Sequence, residues 1–204
     1  MKSVALLLIV LALSSFACTV NNRDAADDAT VGTSGNVVSA DDRDFVEFMA
    51  HANLAEVELG RLAMERGANP QVKQFADMMV TDHSKGGESL RQVAMEHAIP
   101  TPDGLDEDHG ELKNKLSGLR GAAFDREYMS AMVQGHEDVV DRLQTRASED
   151  RFGNDRGEVR PERSDNRVEA ALNDWATRTL PTTQHHLEEA KRIHDNLSRT
   201  ATRR

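Results

Sequence analysis

Residues 45–83 read FVEFMAHANLAEVELGRLAMERGANPQVKQFADMMVTDH, and this stretch decides the fold. Phe45, Met49, Ala52, Leu59 and Ala63 recur at helical spacing, so they share one side of a helix with 3.6 residues per turn. The stripe predicts a helix from Asp42 to Arg66, with Asp41 or Asp42 capping its start and Gly67 supplying a left-handed residue at its end. Asn69-Pro70 starts a second helix, because the Asn side chain can cap free N–H groups and the fixed φ of proline suits a first turn. Its inner face carries Val72, Phe75, Met79, His83, Leu90 and Val93, with Gly86-Gly87 as a weak point, and it fades near His97 ahead of Pro100 and Pro102. So short a connection makes the two helices antiparallel neighbours.

Downstream, residues 98–120 can travel the length of a bundle, and Leu105, Leu112, Leu116 and Leu119 predict a short helix on the way. After Gly121, the stripe Phe124, Tyr128, Met132, His136, Val139 and Leu143 marks a third main helix that fades near Ser148. Residues 151–163 hold Gly153, Gly157, Pro161 and many charges and read as a mobile loop. Ser164 or Asp165 then caps a fourth helix with the inner stripe Val168, Leu172, Trp175, Thr179, Thr183, His186, Ala190, Ile193 and Leu197. Pro181 removes a backbone bond and crowds the preceding turn, so a kink or break is expected there. With 4% aromatic residues and no alternating apolar pattern, no sheet is predicted. The class is all-α: a four-helix bundle over residues 41–198, with a short extra helix between the second and third and a disordered tail at 199–204.

The first residues carry a different signal. Lys2, the apolar run Val4 to Leu13, and Ser15-Phe16-Ala17 before Cys18 read as an export signal over residues 1–17. Ten apolar residues fall short of the roughly 20 that span a bilayer. Cys18 is the only cysteine, so an internal disulfide and a thiolate metal site are excluded; its position suits lipid attachment, although Ser15-Phe16-Ala17 also suits ordinary cleavage after Ala17. Residues 18–40, rich in Asp, Asn, Gly, Ser and Thr, read as a flexible tether. The expected location is the bacterial periplasm or cell envelope, with membrane attachment through Cys18. A net charge of -10 argues against nucleic acid as a partner.

Each inner stripe also includes a residue that a hydrocarbon core would not select: Glu56, His83, His136 and His186. A buried polar group without a partner costs several kcal/mol, roughly, so such groups gather where they satisfy one another or a metal. Glu56 and His83 lie at similar heights from the turn near Ala68, whereas His136 and His186 differ in distance from their loop. Imidazole suits zinc, copper or iron, and the i, i+4 pairs Met79-His83 and Met132-His136 lean towards copper, although methionine is also common core filler. Asp82, Asp125 and Tyr128, with Glu137, Asp138 and Glu189, are placed to orient ligand histidines; His51, His97, His109, His185 and His194 are expected at the surface. No phosphate-binding loop or activated nucleophile is evident, so catalysis has no positive signal.

Ala55-Glu56, Asp82-His83, Phe124-Asp125 with Tyr128 and His136, and Leu180-Pro181 before His186 together resemble an exported bacterial family of unknown function with a ferritin-like fold, whose members are described as membrane or outer-membrane proteins and are often lipoproteins. The resemblance implies fold and location, and no activity. Ferritin-like di-iron sites use Glu-x-x-His on two helices; here Val80, Val133 and Thr183 stand three residues before the histidines, against such a centre. Two readings stay open: a transition-metal site of Glu56, His83, His136 and His186, or the same residues as a buried polar network in a structural or partner-binding bundle. The protein partner and any homo-oligomer are not legible.

Overall fold

The computed structural model describes residues 35–147 and 166–202, which contain five helices and no strand. These are α1 (Ala40–Arg66), α2 (Pro70–Glu96), α3 (Glu107–Ser117), α4 (Gly121–Ala147) and α5 (Arg167–Thr202). The class is all-α as predicted, and α3 is the extra helix between the second and third main ones. The export signal, Cys18, most of the tether, Ser148, the loop at 151–163, and the expected caps Ser164 and Asp165 lie outside the described residues.

Several boundaries differ from expectation, each for a local reason. Ser39, not Asp41 or Asp42, caps α1: its hydroxyl accepts from the Asp42 N–H at 3.0 Å, and the Asp42 carboxylate accepts from the Ser39 N–H at 2.9 Å. Asp42 thus occupies the third helical position, where a carboxylate reaches back to the cap, and it also pairs with Arg146 on α4. The end of the predicted tether is therefore held in place. The Gly35 carbonyl accepts from the Arg167 N–H at 3.1 Å, and the Val37 carbonyl accepts from the Asn166 amide at 2.6 Å. Gly67 is extended, with φ -65 and ψ 151, rather than left-handed, because the chain must enter α2 within three residues. Asn69 caps α2 as predicted, accepting from the Gln71 N–H at 2.8 Å.

α5 runs unbroken through Pro181 and continues to Thr202, into the predicted tail. Pro181 is exposed, while Trp175, Ala176, Leu180 and Thr183 around it are buried. Packing of that inner face outweighs the lost backbone bond, so the expected interruption does not occur.

Two apolar cores stack along the bundle. One joins the start of α1 (Phe45, Met49), the end of α2 (Leu90, Ala94), the end of α4 (Leu143, Ala147) and the start of α5 (Val168, Trp175). The other joins the end of α1 (Leu59, Ala63), the start of α2 (Val72, Phe75), the start of α4 (Phe124, Tyr128), the end of α5 (Ile193) and Leu116 of α3. Helices α1 and α5 therefore run one way, and α2 and α4 the other. Successive parallel helices α2 and α4 require a crossover, and residues 97–120 with α3 provide it, as in ferritin-like folds. Each fully buried Leu or Phe in these cores contributes about 1.5–3 kcal/mol. Gly60 allows α1 and α2 to approach closely, since a Cβ there would lie 2.9 Å from the Ala76 carbonyl oxygen.

The height mismatch between His136 and His186 is absorbed at the start of α5. His136 lies 11 residues before Ala147 and His186 lies 19 after Arg167, so α5 begins about 12 Å farther out at about 1.5 Å per residue. Residues 35–39 line that overhang through their bonds to Asn166 and Arg167.

Candidate metal centre

Between the two cores the inward positions turn polar. His83 from α2, His136 from α4 and His186 from α5 form a near-equilateral triangle, with ring centroids 5.3, 5.5 and 5.6 Å apart. One nitrogen from each lies within 4.8 Å of the other two. All three are buried: His136 is 1% exposed, His186 2% and His83 9%.

The second nitrogen of each ring has a fixed partner. His136 Nδ1 donates to the Met132 carbonyl at 2.8 Å, a bond within its own helix. His83 Nδ1 donates to Asn53 Oδ1 at 3.1 Å, and Asn53 in turn donates from Nδ2 to the Met49 carbonyl at 2.7 Å. His186 Nε2 donates to the Asp82 carboxylate at 3.1 Å. These acceptors set the tautomers, leaving lone pairs on His83 Nε2, His136 Nε2 and His186 Nδ1. Those three atoms are buried and have no hydrogen-bond partner.

Neutral rings are the stable form here. Burial, reinforced by the neighbouring imidazoles, pushes the pKa of His83 well down and that of His136 to about 4. Burial also lowers that of His186, with the Asp82 carboxylate opposing it. Three buried acceptors that face one another with no donor among them leave an electrostatic deficit that a cation would fill. The donor set suits such a cation: neutral imidazole is a ligand for zinc, copper and iron, and each ring is oriented from behind by an acceptor. Three protein ligands also leave a coordination position open.

The other predicted residues fall in different places. Glu56 is beside the cluster but outside the set of three, with Oε1 3.6 Å from His136 Nδ1. Its Oε2 is buried without a partner, and burial raises its pKa to about 8, so it is largely neutral at pH 7. Tyr128 is fully buried between Phe75 and Phe124, its hydroxyl unpartnered and its pKa raised by burial and by Glu56. Asp82 holds His186 as described. Asp125 instead accepts from the backbone N–H groups of Ala68 and Asn69 at 3.0 and 2.9 Å, fixing the turn between α1 and α2. Met79 and Met132 are buried in the second core, and it is the backbone of Met132 that serves His136. Glu137 pairs with Lys191 and Glu189 with Arg192, and Asp138 is exposed. His185 is exposed, and His97 and His194 are half-buried. His51 and His109 are also half-buried and bond to the Gly104 carbonyl and to Asp106.

Asn53 is the site residue that sequence reasoning missed. Its signal was its place one turn before Glu56 on the same inward stripe, four residues after Met49, where a buried amide must find partners. Gly86 makes room for it: a Cβ on Gly86 would lie 3.0 Å from Asn53 Oδ1.

Three openings approach the centre, the first a cavity of about 270 Å³ with Asn53 and His83 among its lining residues. A cavity of about 40 Å³ is lined by Asn53, Asp82, His83, Gly86, Thr183 and His186 among others. A groove of about 510 Å³ between α1, α3 and α4 has Glu56 among its lining residues.

A solved structure with a similar fold is the crystal structure of a DUF305 fragment from Deinococcus radiodurans, at TM-score 0.58 and 14% identity, covering 79% of this chain and 97% of that one. No curated protein matches the sequence. A family model described as "Domain of unknown function (DUF4142)" matches residues 28–152, which include α1 to α4 and with them Asn53, Glu56, His83 and His136. The chain belongs to that family.

Proposed function

We propose that this chain is an exported, non-catalytic protein of the bacterial cell envelope whose bundle holds one transition-metal ion on His83, His136 and His186, in metal handling or envelope stress resistance. The observation that carries the reading is the convergence of three buried, unpartnered imidazole nitrogens, each on a ring whose other nitrogen is engaged. Zinc, copper and iron are the candidate ions.

The location rests on the sequence: Lys2, the apolar run Val4 to Leu13, and Cys18 after Ala17. Among the described residues no helix is long and apolar enough to cross a membrane; the attachment in this reading is lipid on Cys18. Mass spectrometry of the mature amino terminus tests this, and an unmodified Cys18 ends the anchor.

Metal content of the purified chain, followed by melting of the metal-free protein with added zinc, copper(II) or iron(II), tests the centre. A ligand that binds only the folded state raises the midpoint. The expected result is one equivalent of metal and a rise in midpoint that His83→Ala plus His186→Ala abolishes. No stoichiometric uptake and no rise would leave the rival reading, in which the same residues form a polar network in a structural or partner-binding bundle.

A further inference from the structure

A cavity of about 40 Å³ lies beside the histidines. Met49 and Ala52 line it from α1, His83 from α2, Val139 from α4, and Thr179, Thr183 and His186 from α5. Two of the three clustered imidazoles therefore border one void. A water needs roughly 10–15 Å³ of such space, so the cavity takes a water or a guest of two or three heavy atoms. Its polar lining can anchor that guest. The Thr179 and Thr183 hydroxyls donate to the carbonyls of Trp175 and Thr179, which leaves their oxygens free to accept.

Three nitrogen donors leave a tetrahedral, zinc-like ion one ligand short, and that fourth ligand must come from somewhere. Glu56 is not at hand, since it lies on the Nδ1 side of His136 rather than in the set of three. We propose that the centre is an open one: the cavity lined by His83, His186 and Ala52 holds an exchangeable fourth ligand, a water or a small triatomic anion, and excludes bulkier donors. This rests on the metal-binding reading and adds that the bound ion stays reachable by small ligands. Ala52 and Val139 line both the cavity and the larger groove between α1, α3 and α4, so they are the wall between the void and that groove.

The test uses the full chain loaded with cobalt(II), whose visible bands report its ligands. Addition of azide is expected to shift those bands in a saturable way, whereas 4-phenylimidazole, a single-nitrogen donor too large for the void, leaves them unchanged. Ala52→Leu, which fills the void, is expected to keep one equivalent of cobalt and lose the azide response. Should that variant fail to fold, the two probes on the unaltered chain still decide. Cobalt uptake with bands that ignore azide would overturn the open position alone, and equal responses to both probes would overturn the size limit. No cobalt, zinc or copper uptake at all would instead defeat the metal-binding reading and this inference with it.

Discussion

Asn53 Oδ1 stands 3.1 Å from His83 Nδ1, and a Cβ on Gly86 would stand 3.0 Å from that same oxygen. A glycine inside a helix costs about 0.5–1 kcal/mol relative to alanine, and here it admits the amide that sets the His83 tautomer. Gly86→Ala is therefore expected to displace Asn53, shift the His83 ring proton away from Nδ1, and weaken metal binding at least about tenfold. Long-range proton–nitrogen NMR of the metal-free variant reads the tautomer directly, and a metal titration reads the affinity. Gly87→Ala is the control, because its Cβ would meet Asn53 Cβ at 3.4 Å, close to ordinary contact. Unchanged His83 ring shifts in Gly86→Ala would refute the positioning role.

The Asp82–His186 pair joins the buried ring to a carboxylate that is one-third exposed. Its solvation limits its worth to stability, but a carboxylate behind a ligand imidazole fixes the ring and raises its basicity. Asp82→Asn is expected to reduce metal affinity about 10- to 100-fold while moving the melting midpoint of the metal-free protein little. Lys85→Ala, which removes only a surface charge 3.9 Å from Asp82, should leave affinity as it is. Equal affinity in Asp82→Asn and the unaltered chain would show that this carboxylate is not a positioning group.

The buried titratable groups make metal-free stability depend on pH in two opposing ways. A histidine whose folded pKa lies below its ordinary 6.5 contributes stability that is complete above 6.5 and is lost as pH falls, because the unfolded chain takes up protons that the fold refuses. For His136 this loss runs down to about pH 4. Glu56, raised from 4.5 to about 8, acts in reverse, and its contribution is lost as pH rises between those values. Below pH 6.5 three histidines outweigh one glutamate; from 6.5 to about 8 only Glu56 among these groups changes charge. Stability should peak near pH 6.5 and fall on the alkaline side by up to about 1.4 kcal/mol per pH unit. Denaturant unfolding with chelator present checks this, and Glu56→Gln should remove the alkaline slope. An alkaline slope that survives in Glu56→Gln would place its cause elsewhere.

The four main helices and their inner faces were legible because burial follows the 3.6-residue period: Phe45, Val72, Phe124 and Leu172 all sit where the stripes put them. The convergence of His83, His136 and His186 followed from the same periodicity. What the periodicity could not supply was rotation and height between helices, which depend on the crossover and on the overhang of α5. Glu56 shares an inward stripe and a level with His83, yet its side chain lies behind His136. An inward amide such as Asn53 looks ordinary in a sequence until its partner on another helix, His83, is known. Nothing in the polar stretch around Ser39 marks which Ser or Asp is the cap until Arg146 and the start of α5 fix its surroundings.

Asp125 separates a structural carboxylate from one that serves the centre. It is 2% exposed, yet both its oxygens are spent on the Ala68 and Asn69 N–H groups at the turn between α1 and α2. A carboxylate accepting backbone N–H bonds satisfies donors that the turn cannot satisfy internally, and its removal leaves them unpaired at about 1–3 kcal/mol. Asp125→Ala should lower unfolding free energy by that amount, and Asp125→Asn, which keeps one acceptor oxygen, by less. Neither should alter metal affinity measured well below the melting transition, because the turn lies beyond the second apolar core, away from the histidines. Denaturant unfolding and a metal titration on the same preparations provide both numbers. A loss of affinity without a loss of stability would mean that this carboxylate acts on the centre after all.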